Sequence, residues 1–216
     1  MDKCISSTTS SSKHIIPLHG LSQKDFPTGC ESVSTVCVLQ YYGIDINVHQ
    51  FIKDFLPCDT FYWKNGILYG PNPHEFFVGN PYKKASLGCY ADVIMKALNK
   101  LKRKGISGIG KLSFQKISHA TLEQLKQDYI NKQIPVILWV TIQMKESFDG
   151  MQYHLEDGTL YTWKAQEHCI VLCGYDEENY YIMDPLADGK IVGYQKESVE
   201  KRYREMGMLG IVIYKR

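Results

Sequence analysis

Apolar residues recur at helical spacing in several stretches of the chain, and each stretch predicts an amphipathic helix. Asn47 and Thr121 open two of them, and each is followed three residues later by a glutamine, which is the pattern of a helix N-terminal cap. Gly43 and Gly105 end two others. The predicted helices span residues 30–43, 47–56, 90–104, 121–132 and 198–206.

From residue 134 onward the pattern changes to short, nearly continuous apolar runs bounded by turn residues, which predict buried strands. The predicted strands span residues 134–142, 168–175, 180–185, 190–194 and 209–214. A chain with its helices first and its strands later is typical of an α+β fold. We therefore expect an N-terminal helical lobe packed on one side of a C-terminal antiparallel sheet.

The segment from residue 58 to residue 88 has no clear period and is rich in glycine, proline, asparagine and aromatic residues. Loops of this length inside a compact domain are uncommon and usually functional. We expect this segment to form one wall of a cleft and to help select a substrate.

We expect one domain at residues 14–216, with a helical lobe at about 14–120 and a sheet lobe at about 121–216, preceded by a flexible Ser/Thr-rich tether at residues 1–13. No apolar run of about 18 residues predicts a membrane span. No signal peptide is evident either. A tether after Cys4 would fit an extracellular or cell-surface protein whose leader is absent, whereas a native Met1 would indicate the cytoplasm.

The composition is that of an ordinary globular protein, with 44% apolar and 22% charged residues among 216. A formal charge of +2 argues against a nucleic-acid partner, which needs a concentrated basic face. The seven cysteines are odd in number and form no CxxC pair, so they predict neither a disulfide framework nor a zinc site. We expect no metal and no organic cofactor. Cys37, Cys169 and Cys173 are interpreted as small core residues.

The chain is organised around a loop that brings Cys30 to the first turn of a helix. Pro27 and Gly29 punctuate this loop. A thiol at a helix N-terminus lies near unpaired backbone N–H groups, which favour the nucleophilic thiolate. The alternative is a buried cysteine that begins a core helix, and this stretch alone does not decide between the two.

A cysteine nucleophile requires a base, and that base requires an orienting acceptor. His168 begins an apolar strand, and Asp184 lies on the next strand. A short hairpin would place residue 168 roughly opposite residue 187, with Asp184 close to that end. Singly, His168 also fits a core histidine and Asp184 a turn former before Pro185.

Gln23 precedes Cys30 by seven residues, so its side-chain amide is a candidate donor to an oxyanion beside the Cys30 N–H. His119 and His154 are rival bases, but both lie in polar segments and are interpreted as surface residues. Asn179 is a rival orienter in an apparent turn. The run from residue 105 to residue 112 approximates a P-loop, but Leu112 stands where Ser or Thr must bind magnesium.

Three motifs carry a resemblance to a known family. The run Pro-Thr-Gly-Cys-Glu-Ser-Val at residues 27–33 resembles the nucleophile motif of the double-glycine (bacteriocin-processing) peptidase-like family of the papain clan. The segments at residues 69–73, 77–82 and 88–91 resemble the signature of its stand-alone bacterial branch, the peptidase C-39-like proteins. Residues 167–176 and 183–185 resemble its histidine and aspartate strands.

The resemblance implies a papain-like fold, with Cys30 as nucleophile, His168 as general base and acid, Asp184 as orienting residue and Gln23 as oxyanion donor. The candidate substrate-binding residues are Gly29 and Glu31 beside Cys30, Glu167 beside His168, and Trp163 five residues before His168. Cleavage after a double glycine does not carry over, because the leader-processing members are commonly fused to a transporter and this chain has no membrane span or ATPase.

The sequence therefore predicts a thiol hydrolase that cleaves peptide or amide bonds in a peptide or protein substrate through a thioester intermediate. Acyl or peptidyl transfer by the same triad is an alternative outcome. A non-catalytic peptide-binding module is the alternative outside enzymes. The oligomeric state is not predicted.

Overall fold

The computed structural model describes residues 13–216 of the chain. The tether predicted at residues 1–13, apart from Lys13, lies outside these residues, as does Cys4. Helices occupy five segments: α1 Cys30–Tyr41, α2 Val48–Asp54, α3 Ala91–Lys104, α4 Leu122–Asp128 and α5 Lys196–Glu205. All five were predicted, with ends that differ by a few residues. Within residues 13–216, no helix has the length and apolar character needed to span a bilayer.

The helix ends follow the sequence signals. Asn47 accepts a hydrogen bond from the Gln50 N–H at 2.8 Å, and Thr121 forms a reciprocal capping box with Gln124. Gly105 adopts a left-handed conformation after α3, which only glycine adopts without strain.

Strands fall into one large and two small sheets. They are β1 His14–Ile15, β2 Cys58–Asp59, β3 Tyr62–Lys64, β4 Ile67–Tyr69, β5 Phe77–Val78, β6 Leu112–Ser118, β7 Val136–Thr141, β8 Phe148–His154, β9 Leu160–Ala165, β10 Glu167–Tyr175, β11 Asn179–Asp184, β12 Lys190–Gln195 and β13 Leu209–Lys215. The large sheet is antiparallel in the order β12-β11-β10-β7-β13-β6, and β1 pairs with β10. The small sheets are β2-β5 and β3-β4-β8-β9.

Two parts of the predicted organisation differ in the structure. The segment at residues 58–88 is not a continuous loop, because it contains β2, β3, β4 and β5. β6, which the prediction left within the helical lobe, forms one edge of the large sheet through its pairing with β13. Both segments were missed because their strands are short or only partly buried, so they lack a continuous apolar run.

The large sheet has an apolar core on each face. The helices α1, α2 and α3 pack with side chains such as Trp139, Cys169 and Val171 on one face. On the other face, Ile170 and Leu172 pack with residues of α4 and α5. The N-terminal helices thus cover one face of the sheet as predicted, but the later helices cover the opposite face.

Helix α1 is buried between the sheet and the other N-terminal helices. Ten of its residues, Cys30 to Leu39, are buried, including the polar Ser34 and Thr35. Ser34 Oγ donates to the Cys169 carbonyl at 3.0 Å, and Thr35 Oγ1 donates to the Glu31 carbonyl at 2.6 Å. Both hydrogen bonds compensate the burial of the hydroxyls, and the one from Ser34 also fixes α1 against β10.

Candidate active site

The loop before α1 is wound tightly enough to require glycine at its end. The Phe26 N–H donates to the Gln23 carbonyl and the Gly29 N–H to the Phe26 carbonyl, each at 2.8 Å. A Cβ on Gly29 would lie 2.9 Å from Phe26 Cβ and 3.3 Å from Pro81 Cβ. Gly29 caps α1, and Cys30 is therefore the first residue of the helix, as the sequence predicts.

Cys30 Sγ lies against strand β10. It accepts a hydrogen bond from the Cys169 N–H at 3.4 Å, and it donates to Glu31 Oε2 at 3.5 Å. Cys169 directly follows His168, so the sulfur lies beside the strand segment that carries the candidate base. Among residues 13–216, no hydrogen bond joins Cys30 Sγ to the His168 ring.

His168 and Asp184 form a buried pair on neighbouring strands. His168 Nε2 lies 2.7 Å from Asp184 Oδ1, and both residues are at most 3% exposed. A β-bulge between Leu172 and Gly174 moves the register by one, so that residue 168 faces residue 186 and not 187 if the pairing is extended. His168 Nδ1 makes no hydrogen bond to the described part of the chain.

The environment keeps Asp184 ionised. Burial raises the pKa of Asp184, but the hydrogen bond and charge of His168, with the Leu186 N–H at 2.9 Å, outweigh burial and hold that pKa below its usual value. An ionised acceptor at Nε2 fixes the imidazole orientation and leaves Nδ1 for another partner.

Gln23 is buried beside the same region. The backbone N–H of Gln23 donates to the Pro185 carbonyl at 3.1 Å, and this hydrogen bond holds Gln23 next to the end of β11. Its Nε2 donates to the Pro27 carbonyl at 3.3 Å, and its Oε1 is buried without a hydrogen-bond partner in the described part of the chain. A cavity of about 440 Å³ lies here, lined by residues that include Gln23, Pro27 and Pro185.

The thiol of Cys30 is less acidic than its place at a helix N-terminus predicts. Burial raises the pKa of Cys30 well above its usual value, and the carboxyls of Glu31 and Glu167 raise it further. The hydrogen bond from the Cys169 N–H lowers this pKa but does not offset the other effects. In the arrangement observed, the protonated thiol is therefore the favoured form.

Three of the four predicted substrate-binding residues are buried side chains around Cys30. Glu31 is 0%, Trp163 5% and Glu167 8% exposed. The Cys30 sulfur and carboxyl oxygens of Glu31 and Glu167 all lie within 4.8 Å of one another. A cluster of this kind holds either protons or a metal ion, and its members do not face an open groove.

Two contacts of this cluster were not anticipated from the sequence. The Cys89 N–H donates to Glu31 Oε1 at 2.6 Å, and the Cys89 carbonyl accepts from Trp139 Nε1 at 2.8 Å. Gly88 lies so close to both carboxyls that an added Cβ would be 2.6 Å from Glu31 Oε1 and 2.9 Å from Glu167 Oε2. The only signal in the sequence is an acid next to Cys30 and another next to His168.

The rival residues lie in other surroundings. His119 is exposed after β6, and His154 is partly buried on β8, a strand that the prediction missed. Asn179, predicted to lie in a turn, is the first residue of β11, and its Nδ2 approaches Asp176 Oδ1 at 3.4 Å. None of the three is hydrogen-bonded to Cys30, His168 or Asp184 in the structure of residues 13–216.

Comparisons with known proteins agree with this arrangement of elements. The model of the peptidase C39-like family matches residues 15–211. The uncharacterized protein YvpB of Bacillus subtilis (strain 168) is 29% identical over 206 residues, which cover 90% of this chain and 73% of YvpB.

Solved structures show the same fold. A C39-like peptidase candidate from Bacillus anthracis superimposes with a TM-score of 0.77 at 25% identity, covering 95% of this chain and 98% of that one. A double-glycine-motif protease from an AMS/PCAT transporter, solved in complex with the leader peptide, superimposes with a TM-score of 0.52 at 14% identity, covering 95% and 97%. These similarities establish the α+β, papain-like fold.

Proposed function

We propose that the chain, which belongs to the peptidase C39-like family, is a cysteine peptidase that hydrolyses peptide or amide bonds with Cys30, His168 and Asp184. The observation that carries the proposal is the buried 2.7 Å pair of His168 and Asp184 on β10 and β11. The Cys169 N–H, one residue from His168, meets the Cys30 sulfur at 3.4 Å.

In the proposed reaction, His168 accepts the thiol proton and the Cys30 thiolate attacks the carbonyl carbon of the substrate. The new S–C bond gives a tetrahedral oxyanion, which the Cys30 N–H and the Gln23 amide stabilise. For this role the Gln23 amide must exchange its hydrogen bond to the Pro27 carbonyl for one to the oxyanion. The C–N bond then breaks as His168 protonates the leaving amine. Water hydrolyses the thioester and restores the thiol.

The segment at residues 58–88 contacts the loop that precedes Cys30, and this contact supports the predicted role of the segment in selecting a substrate. The Thr28 N–H approaches the Pro81 carbonyl at 3.4 Å, and Thr28 Oγ1 donates to the Lys83 carbonyl at 3.1 Å. A change in residues 80–83 therefore reaches the loop that carries Cys30. The AMS/PCAT protease was solved with a bound leader peptide, and we propose a peptide or protein substrate for this chain as well.

A non-catalytic peptide-binding module is the second candidate. It is favoured by one observation, namely that Cys30 Sγ is hydrogen-bonded to Glu31 and not to His168. A thiol without an engaged base is a poor nucleophile.

Alkylation by iodoacetamide at pH 8, followed by peptide mass spectrometry, distinguishes the two candidates. We expect Cys30 to react faster than the other thiols, and this selectivity to be lost in His168→Ala. His154→Ala is the matched control, because within residues 13–216 this histidine is not hydrogen-bonded to Cys30, His168 or Asp184, and its loss should leave labelling unchanged. Slow, equal labelling of all thiols would contradict the catalytic proposal.

Profiling with a peptide library then tests the reaction itself. Wild-type protein is expected to release cleaved peptides, and Cys30→Ala none. Addition of a free amine distinguishes hydrolysis from acyl transfer, since a transferase would form the amide product. The extracellular or cell-surface location stays a prediction, which fractionation of the native cells would test.

A further inference from the structure

A pair of buried carboxyls faces the candidate nucleophile. Glu31 follows Cys30 on α1, and Glu167 precedes His168 on β10. Two buried carboxylates this close repel one another, so the pair is stable only if it retains a proton or binds a cation. Within residues 13–216, no lysine, arginine or histidine side chain is hydrogen-bonded to either of these carboxyls.

The two carboxyls differ in the hydrogen bonds that their oxygens accept. Glu31 Oε1 accepts from the Cys89 N–H at 2.6 Å, and Glu31 Oε2 accepts from the Cys30 thiol at 3.5 Å. Glu167 Oε1 is buried and has no hydrogen-bond partner among residues 13–216. An unpartnered buried oxygen is tolerated far better on a neutral carboxyl than on a carboxylate. Glu167 is accordingly the member that stays protonated, and Glu31 is the member that titrates.

We propose that Glu31 and Glu167 form a proton-holding acid pair that keeps the Cys30 thiol protonated and so sets the pH at which Cys30 becomes nucleophilic. The inference rests on the proposed cysteine-peptidase function. It adds a control on the nucleophile that the triad does not contain. The Cys30 S–H donates to Glu31 while the pair holds it, and His168 gains the proton only when this hydrogen bond is released.

The electrostatic surroundings support this role. Burial raises the pKa of Glu31 to about 7 and raises that of Glu167 well above its usual value, with a further contribution from the charge of Glu31. Within residues 13–216, the titratable groups that surround the pair besides Cys30 are thiols and phenols: Cys169 on β10 itself, and Cys58, Cys89, Tyr90 and Tyr161 from other segments. A neutral thiol or phenol does not offset the negative charge of a carboxylate. Ionisation of Glu31 therefore acts directly on Cys30.

The walls of the site hold the pair in place. Gly88 touches both carboxyls with its backbone, and the adjacent Tyr90 ring stacks on Trp163 with centroids 5.6 Å apart. The Trp163 ring approaches the same side, since a Cβ on Gly88 would lie 3.5 Å from Trp163 Cη2. The Gly88–Tyr90 segment thus excludes solvent from the carboxyls, which keeps their interaction with the thiol strong.

Glu31→Gln is a sharp test because it changes the charge and little else. The glutamine Oε1 can still accept from the Cys89 N–H, while its Nε2 then lies where Oε2 was, 3.5 Å from the sulfur. A donor at that position favours the thiolate, whereas the carboxylate disfavours it. We expect the thiol to titrate at lower pH in this variant.

The experiment measures the rate of Cys30 alkylation from pH 5 to pH 9 by peptide mass spectrometry. In Glu31→Gln the profile should move down by about one pH unit, so that the rate at pH 8, where Glu31 of the wild type is ionised, rises about tenfold. Glu167→Gln should shift the midpoint in the same direction by less, and it keeps the test valid if the first variant fails to fold. Glu178→Gln, an exposed carboxyl far from Cys30 in the chain, should give the wild-type profile.

The outcomes separate this inference from the proposed function. In one outcome, alkylation of wild-type Cys30 is fast and requires His168, but the glutamine variants have the same pH–rate profile as the wild type. The acid-pair proposal then fails and the peptidase proposal stands. If Glu31→Gln slows alkylation at every pH, Glu31 assists ionisation, and the acid-pair proposal fails as well. If Cys30 never reacts selectively in any variant, the proposed function itself fails.

A bound metal ion is the remaining explanation for the cluster, and the same assay includes it. Wild-type protein is assayed with EDTA and with added Zn²⁺. An unchanged profile in EDTA supports the acid pair. A profile that EDTA alone moves as far as Glu31→Gln does would overturn it in favour of a metal site formed by Cys30, Glu31 and Glu167.

Discussion

Replacing Glu31 by glutamine should make the folded protein more stable near neutral pH, because the buried carboxyl resists ionisation. In the folded state burial raises the pKa of Glu31 from 4.5 to about 7. Each pKa unit corresponds to about 1.4 kcal/mol, so a shift of this size amounts to about 3 kcal/mol once the group is ionised.

The sign follows from which state binds the proton. Between about pH 4.5 and pH 7 the unfolded chain has released the Glu31 proton while the folded chain still holds it. Folding stability therefore falls as pH rises through this window. Below it, glutamate and glutamine are both neutral, and the two proteins should be about equally stable. The charge of Glu31 also raises the pKa of Glu167, so removing that charge makes Glu167 easier to ionise. This effect adds to the stability difference in favour of Glu31→Gln.

Urea unfolding of wild type and Glu31→Gln at several pH values between 4.5 and 7.5 measures the effect. The free-energy difference between the proteins should grow from near zero to about 3 kcal/mol in favour of the variant. Glu178→Gln supplies the control for a change of net charge on the surface. If the free energies of unfolding of wild type and Glu31→Gln changed in parallel with pH, the conclusion that burial disfavours ionisation of this carboxyl would be refuted.

Three further predictions concern the other residues of the site. Asp184→Asn should lower kcat by several orders of magnitude in a peptide-cleavage assay. It should also lower the folding stability above about pH 4, because the depressed folded pKa of Asp184 gives the wild type a stabilisation there that it loses on acidification. Gln23→Ala should lower kcat roughly 10²–10³-fold with a smaller change in KM, whereas an equal loss through KM alone would contradict the oxyanion role. Gly88→Ala should lower the Tm by several degrees, since its Cβ would lie 2.6 Å from Glu31 Oε1. An unchanged Tm would show that the carboxyls move aside freely.

Local signals in the sequence were sufficient for the helices and for five strands of the large sheet, namely β7, β10, β11, β12 and β13. The caps at Asn47 and Thr121 are read from residues three positions apart, and both are present in the structure. The interaction that each cap needs is contained in a single turn of chain. Burial of strands β7 and β10 on both faces likewise leaves a continuous apolar run that a window of a few residues detects.

Features that depend on long-range packing were not predictable in this way. Strands β8 and β9 pair mainly with each other and are half exposed, so their sequences show no clear apolar alternation. Strand β1 closely approaches the bulge near Gly174, since a Cβ there would lie 2.3 Å from the His14 carbonyl oxygen. A hairpin register derived from turn length alone misses such an insertion. The acid pair joins residues 136 positions apart in the chain, and a sequence window cannot show that they meet.

The contacts of Glu167, His168 and Cys169 make the parts of the site depend on one another. They are consecutive on β10, yet each serves a different contact: Glu167 completes the acid pair, His168 binds Asp184 at 2.7 Å, and the Cys169 N–H binds Cys30 Sγ at 3.4 Å. Neighbouring side chains on a strand point to opposite faces, so a slip of one residue would turn the Glu167 and His168 side chains away from their partners and would also displace the Cys169 N–H from Cys30 Sγ. Substitutions at Glu31 and His168 should therefore be non-additive, because both alter the proton of one thiol through the same segment of strand.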